Sequence, residues 1–171
     1  MIRNIINRIL HKLAFSLPGG RSLRPWLHRL RGVKMGRNVW ISQMVYIDEL
    51  HPEAITIGDN CAIGIRTSII SHTYWGARRK EGAFGDVLLE KNVYVGPHCV
   101  VMPNTRIGEG SVIIGGTVVK GNVPARTLWG PPAAGPLGEV TVPLIWENSY
   151  EDFLGGIRPL RDKGGSRVPR S

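Results

Sequence analysis

The chain has 171 residues and a mass of 18.9 kDa, enough to enclose one core and too short for two ordinary domains. Its formal charge of +9 sits at the ends: residues 1 to 37 hold nine Lys or Arg and no acid, and the rest of the chain has thirteen of each sign. The C-terminal stretch adds Arg158, Arg161, Lys163, Arg167 and Arg170 against Asp162, so the middle is mildly acidic, which argues against a nucleic-acid groove there.

Ile2, Ile5, Ile6, Ile9, Leu10, Leu13 and Leu17 recur mostly three or four apart, which predicts an amphipathic helix over 2–17 with Arg3, Arg8 and Lys12 on its wetter side. Pro18, Gly19 and Gly20 end it. A second short basic segment follows from Leu23 to Leu30, with Pro25 near its start and Trp26 among the arginines. Residues 1–31 thus form a basic helical segment with two competing uses. It caps the end of whatever follows or packs on a neighbouring subunit, or it lies on an anionic membrane surface. Arg8, His11 and Lys12 interrupt the apolar run, so the opening does not read as a clean signal peptide and secretion is not expected, and no later segment approaches a membrane span. A cytoplasmic protein is expected, with peripheral contact at the inner membrane face if the second use holds.

From residue 32 an aliphatic residue returns every sixth position: Met35, Ile41, Ile47; Ile57, Ile63, Ile69; then Leu89, Val95, Val101, Ile107, Ile113, Val119. Period six is neither helical nor alternating; it fits a solenoid of three short strands per turn, each pointing one residue at the axis. Gly36, Gly58, Gly64, Gly96 and Gly108 follow the slot, where a corner excludes a Cβ. Four residues after the slots stand Val39, Val45, Cys61, Thr67, Val93, Cys99, Thr105, Ser111, Thr117 and Val123, small or β-branched as a narrow interior requires. Both cysteines fall in this column as compact fillers, neither a metal motif nor a disulfide framework, which agrees with a reducing cytoplasm.

The repeat breaks twice, and insertions are where function enters solenoids. Four extra residues lie between Ile47 and Ile57, around His51 and Pro52; fourteen lie between Ile69 and Leu89 and carry SHTYWGARRKEGAFGD, a loop spanning 71–88. His72 stands at the root of that loop. A histidine at the end of a regular strand has the rigidity and access a general base needs, and imidazole titrates near neutrality. Tyr74, Trp75, Arg78 and Arg79 are the candidates for gripping an acceptor, since aromatic faces stack on sugar rings and arginines fork onto anions; a solvated loop packed on an adjacent subunit is the alternative. His98 lies within regular repeat and reads as a corner or interface residue, and His11, His28 and His51 have no supporting pattern. Beyond Pro131, Pro132 and Pro136 comes a strand-like TVPLIW, then a Gly- and Arg-rich end expected to be unfolded past about residue 155.

The six-residue register over roughly 33–134 resembles the hexapeptide-repeat acyltransferases. The resemblance implies an all-β domain, a left-handed parallel β-helix over 32–134, between the N-terminal helical segment and an irregular extension over 135–171. It implies a homotrimer with sites between subunits, and acetyl-CoA as donor to a sugar or glycan acceptor. The family's catalytic histidine follows an aliphatic strand, precedes a loop and is followed by a strand of the type found here as LLEKNVYVG; His72 matches it. In the family the cofactor lies along the last turns, matched here by IGEGSVIIGGTVVKGNVP, so Gly115 and Gly116 would let the pantetheine arm approach and Lys120 or Arg126 would attract its phosphates. Three positions depart from the family pattern. Lys120 precedes Gly121 where a Thr-Lys pair is common, Ala134 stands where a cation usually ends the domain, and Pro97 has no N–H to offer a thioester.

The expected function is O-acetylation of a sugar hydroxyl in surface polysaccharide or lipopolysaccharide assembly. The same base would serve an N-acetyltransferase of an amino sugar or xenobiotic, and a non-catalytic trimeric scaffold needs only the solenoid. A carbonic anhydrase of this fold needs three converging histidines; its close histidine pair is missing, so no metal is expected.

Overall fold

Each hexapeptide makes one short strand and one corner, and three of them close a turn of a triangular coil. The computed structural model describes residues 2–72, 85–131, 138–143 and 148–159. The first turn is β1 (Lys34–Met35), β2 (Trp40–Ile41) and β3 (Tyr46–Ile47); the second is β4 (Ile55–Ile57), β5 (Ala62–Ile63) and β6 (Ser68–Ile69). The third is β7 (Val87–Leu89), β8 (Tyr94–Val95) and β9 (Val100–Val101), and the fourth β10 (Thr105–Ile107), β11 (Val112–Ile113) and β12 (Val118–Val119). β13 (Asn122–Val123) and β14 (Leu128–Trp129) begin a fifth. Strands of successive turns pair in parallel into three sheets, in the orders β1-β4-β7-β10-β13, β2-β5-β8-β11-β14 and β3-β6-β9-β12.

The register stacks like on like. Ile41, Ile63, Val95 and Ile113 face one another in the second sheet, and Ile47, Ile69, Val101 and Val119 in the third. These aliphatic side chains are fully buried, as is the small column with Cys61, Thr67, Cys99, Ser111 and Thr117. Its hydroxyls are satisfied by corner carbonyls, Thr67 donating to Gly96 O at 2.8 Å and Ser111 to Pro124 O at 2.7 Å, so polarity here does not cost an unpaired group. Both cysteines are free, and burial pushes their thiols up.

One position departs from the expected register. Val123 pairs with Ile107 and so occupies an aliphatic slot of the first sheet, not the small column. The corner after Val119 is two residues shorter than the others, with Gly121 at φ +85°, and brings the chain to the slot early. The slot glycines are required by contact between turns: a Cβ on Gly64 would stand 2.5 Å from Pro97 N, and one on Gly96 2.5 Å from Gly115 N. Left-handed corner positions fall elsewhere, on Asn38, Asn60 and Asn92 among others, whose amides bond along the coil at 3.1 Å from one turn to the next.

The open end of the coil is covered by α1 (Ile2–Ser16) and α2 (Leu23–Leu30). Gly20 O takes the N–H of Ile41 at 2.8 Å and Phe15 O that of Met44 at 3.0 Å, so the first turn does not leave those donors at an open edge. Arg24, buried, reaches Leu17 O at 2.7 Å and Ile41 O at 2.5 Å. The capping face of α1 is its polar and small side, where His11 and Ala14 are buried, while Ile5, Ile6, Ile9 and Leu13 are exposed on the opposite side. No described helix is long and apolar enough to cross a membrane.

Residues 132–171 form a separate unit. Within it β15 (Gly138–Val140) pairs antiparallel with β16 (Ile157–Pro159), and α3 (Tyr150–Gly155) is capped by Ser149, which accepts the Asp152 N–H at 3.1 Å. Of the strand expected over TVPLIW, residues 141–143 are not strand and residues 144–146 lie outside the described residues. Past residue 155, Ile157–Pro159 form a strand because β15 supplies a pairing edge, and residues 160–171 lie outside the described residues.

Candidate active site

Ile47 and Ile69 are each the third slot of their turn, so both interruptions leave the coil at one corner on adjacent turns. The first is closed by a 3₁₀ turn, Pro52–Ala54, and brings Asp48 to the end of β3; the second brings Ser71 and His72 to the end of β6. Gly85 N–H returns to Ser71 O at 2.8 Å, closing the root of the long loop. Residues 73–84 lie outside the described residues, and with them the acceptor candidates Tyr74, Trp75, Arg78 and Arg79.

Asp48 is fully buried, and its carboxylate makes its hydrogen bonds at this corner. One carboxylate oxygen accepts the N–H of Leu50 at 2.9 Å and of His51 at 3.2 Å. The other accepts the N–H and hydroxyl of Ser71, at 2.8 and 2.9 Å, and faces His72 Nδ1 at 2.5 Å. Burial alone would push this carboxyl up, but the donors of Ser71, Leu50 and His51 outweigh it and hold Asp48 below the usual carboxylate range. An ionised carboxylate only accepts, so Nδ1 of His72 is the donor and the neutral ring keeps its lone pair on Nε2. The side chain of His72 is 13% exposed, enough for a reactant to reach it.

His51, which sequence reasoning left without a role, stands beside His72 with ring centroids 6.4 Å apart and its Nδ1 3.3 Å from Glu53 Oε1. Asp48 was also missed. Its signal lay in the register: counting slots puts the two insertions at the same corner, and Asp48 directly follows the slot at the first. Among the described residues no group of three His, Cys, Asp or Glu could hold a metal ion.

The cofactor candidates occupy three different corners of the last turns. Gly115 and Gly116 lie between β11 and β12, Gly116 at φ +77° and its N–H on Pro97 O at 2.9 Å. Lys120 is exposed at the corner that carries His72, two turns further on, and Arg126 is exposed in the left-handed position between β13 and β14. His98 is also a left-handed corner residue, at φ +56°, between β8 and β9.

Residues 86–121 match the family model of the bacterial transferase hexapeptide (six repeats). The chain carries the bacterial transferase hexapeptide repeat. As a hexapeptide-repeat protein it is 36% identical over 104 residues to YvoF of Bacillus subtilis, an assigned rather than demonstrated acetyltransferase, covering 60% of this chain and 58% of that one. It is 30% identical over 101 residues to galactoside O-acetyltransferase of Escherichia coli, covering 56% of this chain and 48% of the relative. The chain thus spans about half the length of these relatives. A hexapeptide-repeat acetyltransferase of Vibrio cholerae, solved with acetyl coenzyme A, superposes with a TM-score of 0.58 at 22% identity, over 72% of this chain and 79% of that one. That likeness shows the fold, a left-handed parallel β-helix.

Proposed function

We propose that this hexapeptide-repeat protein moves an acetyl group from acetyl-CoA to a sugar hydroxyl, with His72 as general base. The observation that carries the reading is the buried Asp48 carboxylate on His72 Nδ1 at 2.5 Å. It fixes the tautomer and ring orientation, and it stabilises the imidazolium that forms when Nε2 accepts a proton. The acceptor oxygen attacks the thioester carbonyl as Nε2 takes its proton. The tetrahedral intermediate expels the CoA thiolate, which receives that proton from the imidazolium, leaving an acetyl ester and free CoA thiol. Similarity to galactoside O-acetyltransferase supports a sugar acceptor, and the expected setting is surface polysaccharide or lipopolysaccharide assembly. An amine acceptor would use the same steps.

A homotrimer with sites between subunits suits the coil's surface. The second sheet presents an outward column with Trp40, Tyr94, Val112 and Leu128, all exposed in the single chain. Sharing a site between protomers would also let cofactor residues on different corners act together. In this reading residues 1–31 both cap the coil and hold the protein peripherally on the inner membrane face.

Thiol release from acetyl-CoA, measured against a panel of sugars, amino sugars and glycans with a parallel size determination, tests donor, acceptor and trimer. A trimer with sugar-dependent release that His72→Ala lowers by about a thousandfold is expected. Near-parental turnover in His72→Ala would remove this base, and no release with any acceptor would favour the non-catalytic scaffold.

A further inference from the structure

Arg31, the residue that ends α2, is almost entirely buried and uses its guanidinium as a clamp. Nη2 donates to two consecutive carbonyls of the coil, Ile47 O at 2.9 Å and Asp48 O at 2.6 Å. Nε donates to Asn7 Oδ1 at 2.7 Å, and Nη1 to His28 Nδ1 at 2.8 Å, which must therefore accept. Asn7 in turn gives its amide to the next carbonyl, Glu49 O, at 2.5 Å. Three successive backbone carbonyls, 47 to 49, are thus held by side chains of the helical segment. From the same residue, the Asp48 carboxylate holds His72.

We infer that Arg31 is a positioning residue for acetyl transfer, acting on His72 through the backbone and carboxylate of Asp48. The inference rests on the reading of His72 as the base. The segment is more than a lid on the coil, because an Asp48 that can rock no longer fixes the His72 ring, and a displacement of about 1 Å at a catalytic group costs about a hundredfold. A lysine cannot replace the clamp, since one ammonium lacks the planar fork that reaches Asn7, His28 and the two carbonyls together.

The internal control is Arg24, also buried and on α2, and also bonded to a coil carbonyl, but at Ile41, with a second bond to Leu17 O within the helical segment, away from Asp48. The experiment compares Arg31→Lys, Arg24→Lys, Asn7→Ala and His72→Ala in the full chain, reading thermal midpoint, kcat and KM for acetyl-CoA. Arg31→Lys is expected to lower kcat about ten- to a hundredfold with KM unchanged within about threefold. Asn7→Ala should lower kcat less, and Arg24→Lys should lower the midpoint while leaving kcat within about twofold. In an Asp48→Asn background the Arg31→Lys loss should shrink to less than about threefold, because both act on one arrangement. Equal kcat losses in Arg31→Lys and Arg24→Lys, or parental kcat in both Arg31→Lys and Asn7→Ala, would overturn the inference. If Arg31→Lys does not fold, Asn7→Ala decides alone: a lowered kcat at unchanged KM supports the clamp and a parental kcat refutes it. An active His72→Ala would instead remove the base itself, and is told apart by that variant alone.

Discussion

At the scale of single residues, the decisive pair is His72 and Asp48. A carboxylate with no exposed surface that accepts four hydrogen bonds, from Leu50, His51 and twice from Ser71, has little freedom to move, so it is a stable reference for the imidazole. Asp48→Asn keeps the size and several of the acceptor contacts, but its amide can present a donor to Nδ1 and favour the wrong tautomer. It is expected to lower kcat by about a hundredfold or more, with KM for acetyl-CoA little changed and near-native circular dichroism. His72 was legible in the sequence as a candidate because it sits at the root of the one long insertion. Asp48 was not, because an acid after an aliphatic slot looks like any exposed corner residue, and only the shared corner of the two insertions distinguishes it. Gly115 and Gly116, proposed for the cofactor, were legible as corners but not as a site, since their neighbours in space lie on another turn, where the Gly116 N–H meets Pro97 O.

At the scale of elements, the coil was almost wholly readable, slot by slot, because each position is decided by one local rule: inward aliphatic, small column, or corner. The shortened corner after Val119 escaped that rule. The helical cap was legible as a pair of helices but not in its orientation. The polar face of α1, not its aliphatic one, packs on the coil and buries His11, and α2 buries His28 beside Leu27. Burial first, then the charge of Arg31, pushes His11 down to about 4 and His28 to about 3. His11 Nδ1 and His28 Nε2 have no hydrogen-bond partner among the described residues. In the unfolded chain both take up a proton below about pH 6.5, whereas the folded cap does not until about pH 4 and below. Stability therefore falls as pH drops from 6.5 towards 4, by up to about 1.4 kcal/mol per pH unit for each histidine. Urea denaturation across this range should show that slope, and His11→Phe should flatten it by about half; an unchanged slope in the variant would exclude His11 as its source.

For the whole molecule, charge and apolar surface coincide at one end. Nine basic residues without an acid lie within residues 1–37, and the aliphatic stripe Ile5, Ile6, Ile9 and Leu13 faces away from the coil, with Trp26 and Leu30 exposed on α2. Two such cationic faces repel each other, whereas an anionic bilayer attracts one and can take up the stripe. Deleting 1–31 would also strip the coil's end and Arg31, so surface substitutions are the cleaner probe. Sedimentation with phosphatidylglycerol vesicles, but not with phosphatidylcholine vesicles, is expected for the intact chain and should be lost in Ile5→Glu/Ile9→Glu. Equal recovery in the supernatant with both lipids would leave the cap as the segment's whole purpose. The central claim is that two interruptions of one repeat build one catalytic centre, Asp48 from the first serving His72 from the second. It is tested most directly by kcat for acetyl transfer in the parent, Asp48→Asn, His72→Ala and the double variant. A double variant no slower than His72→Ala is the predicted result, because Asp48 acts only through that ring; losses that multiply in full would contradict the account.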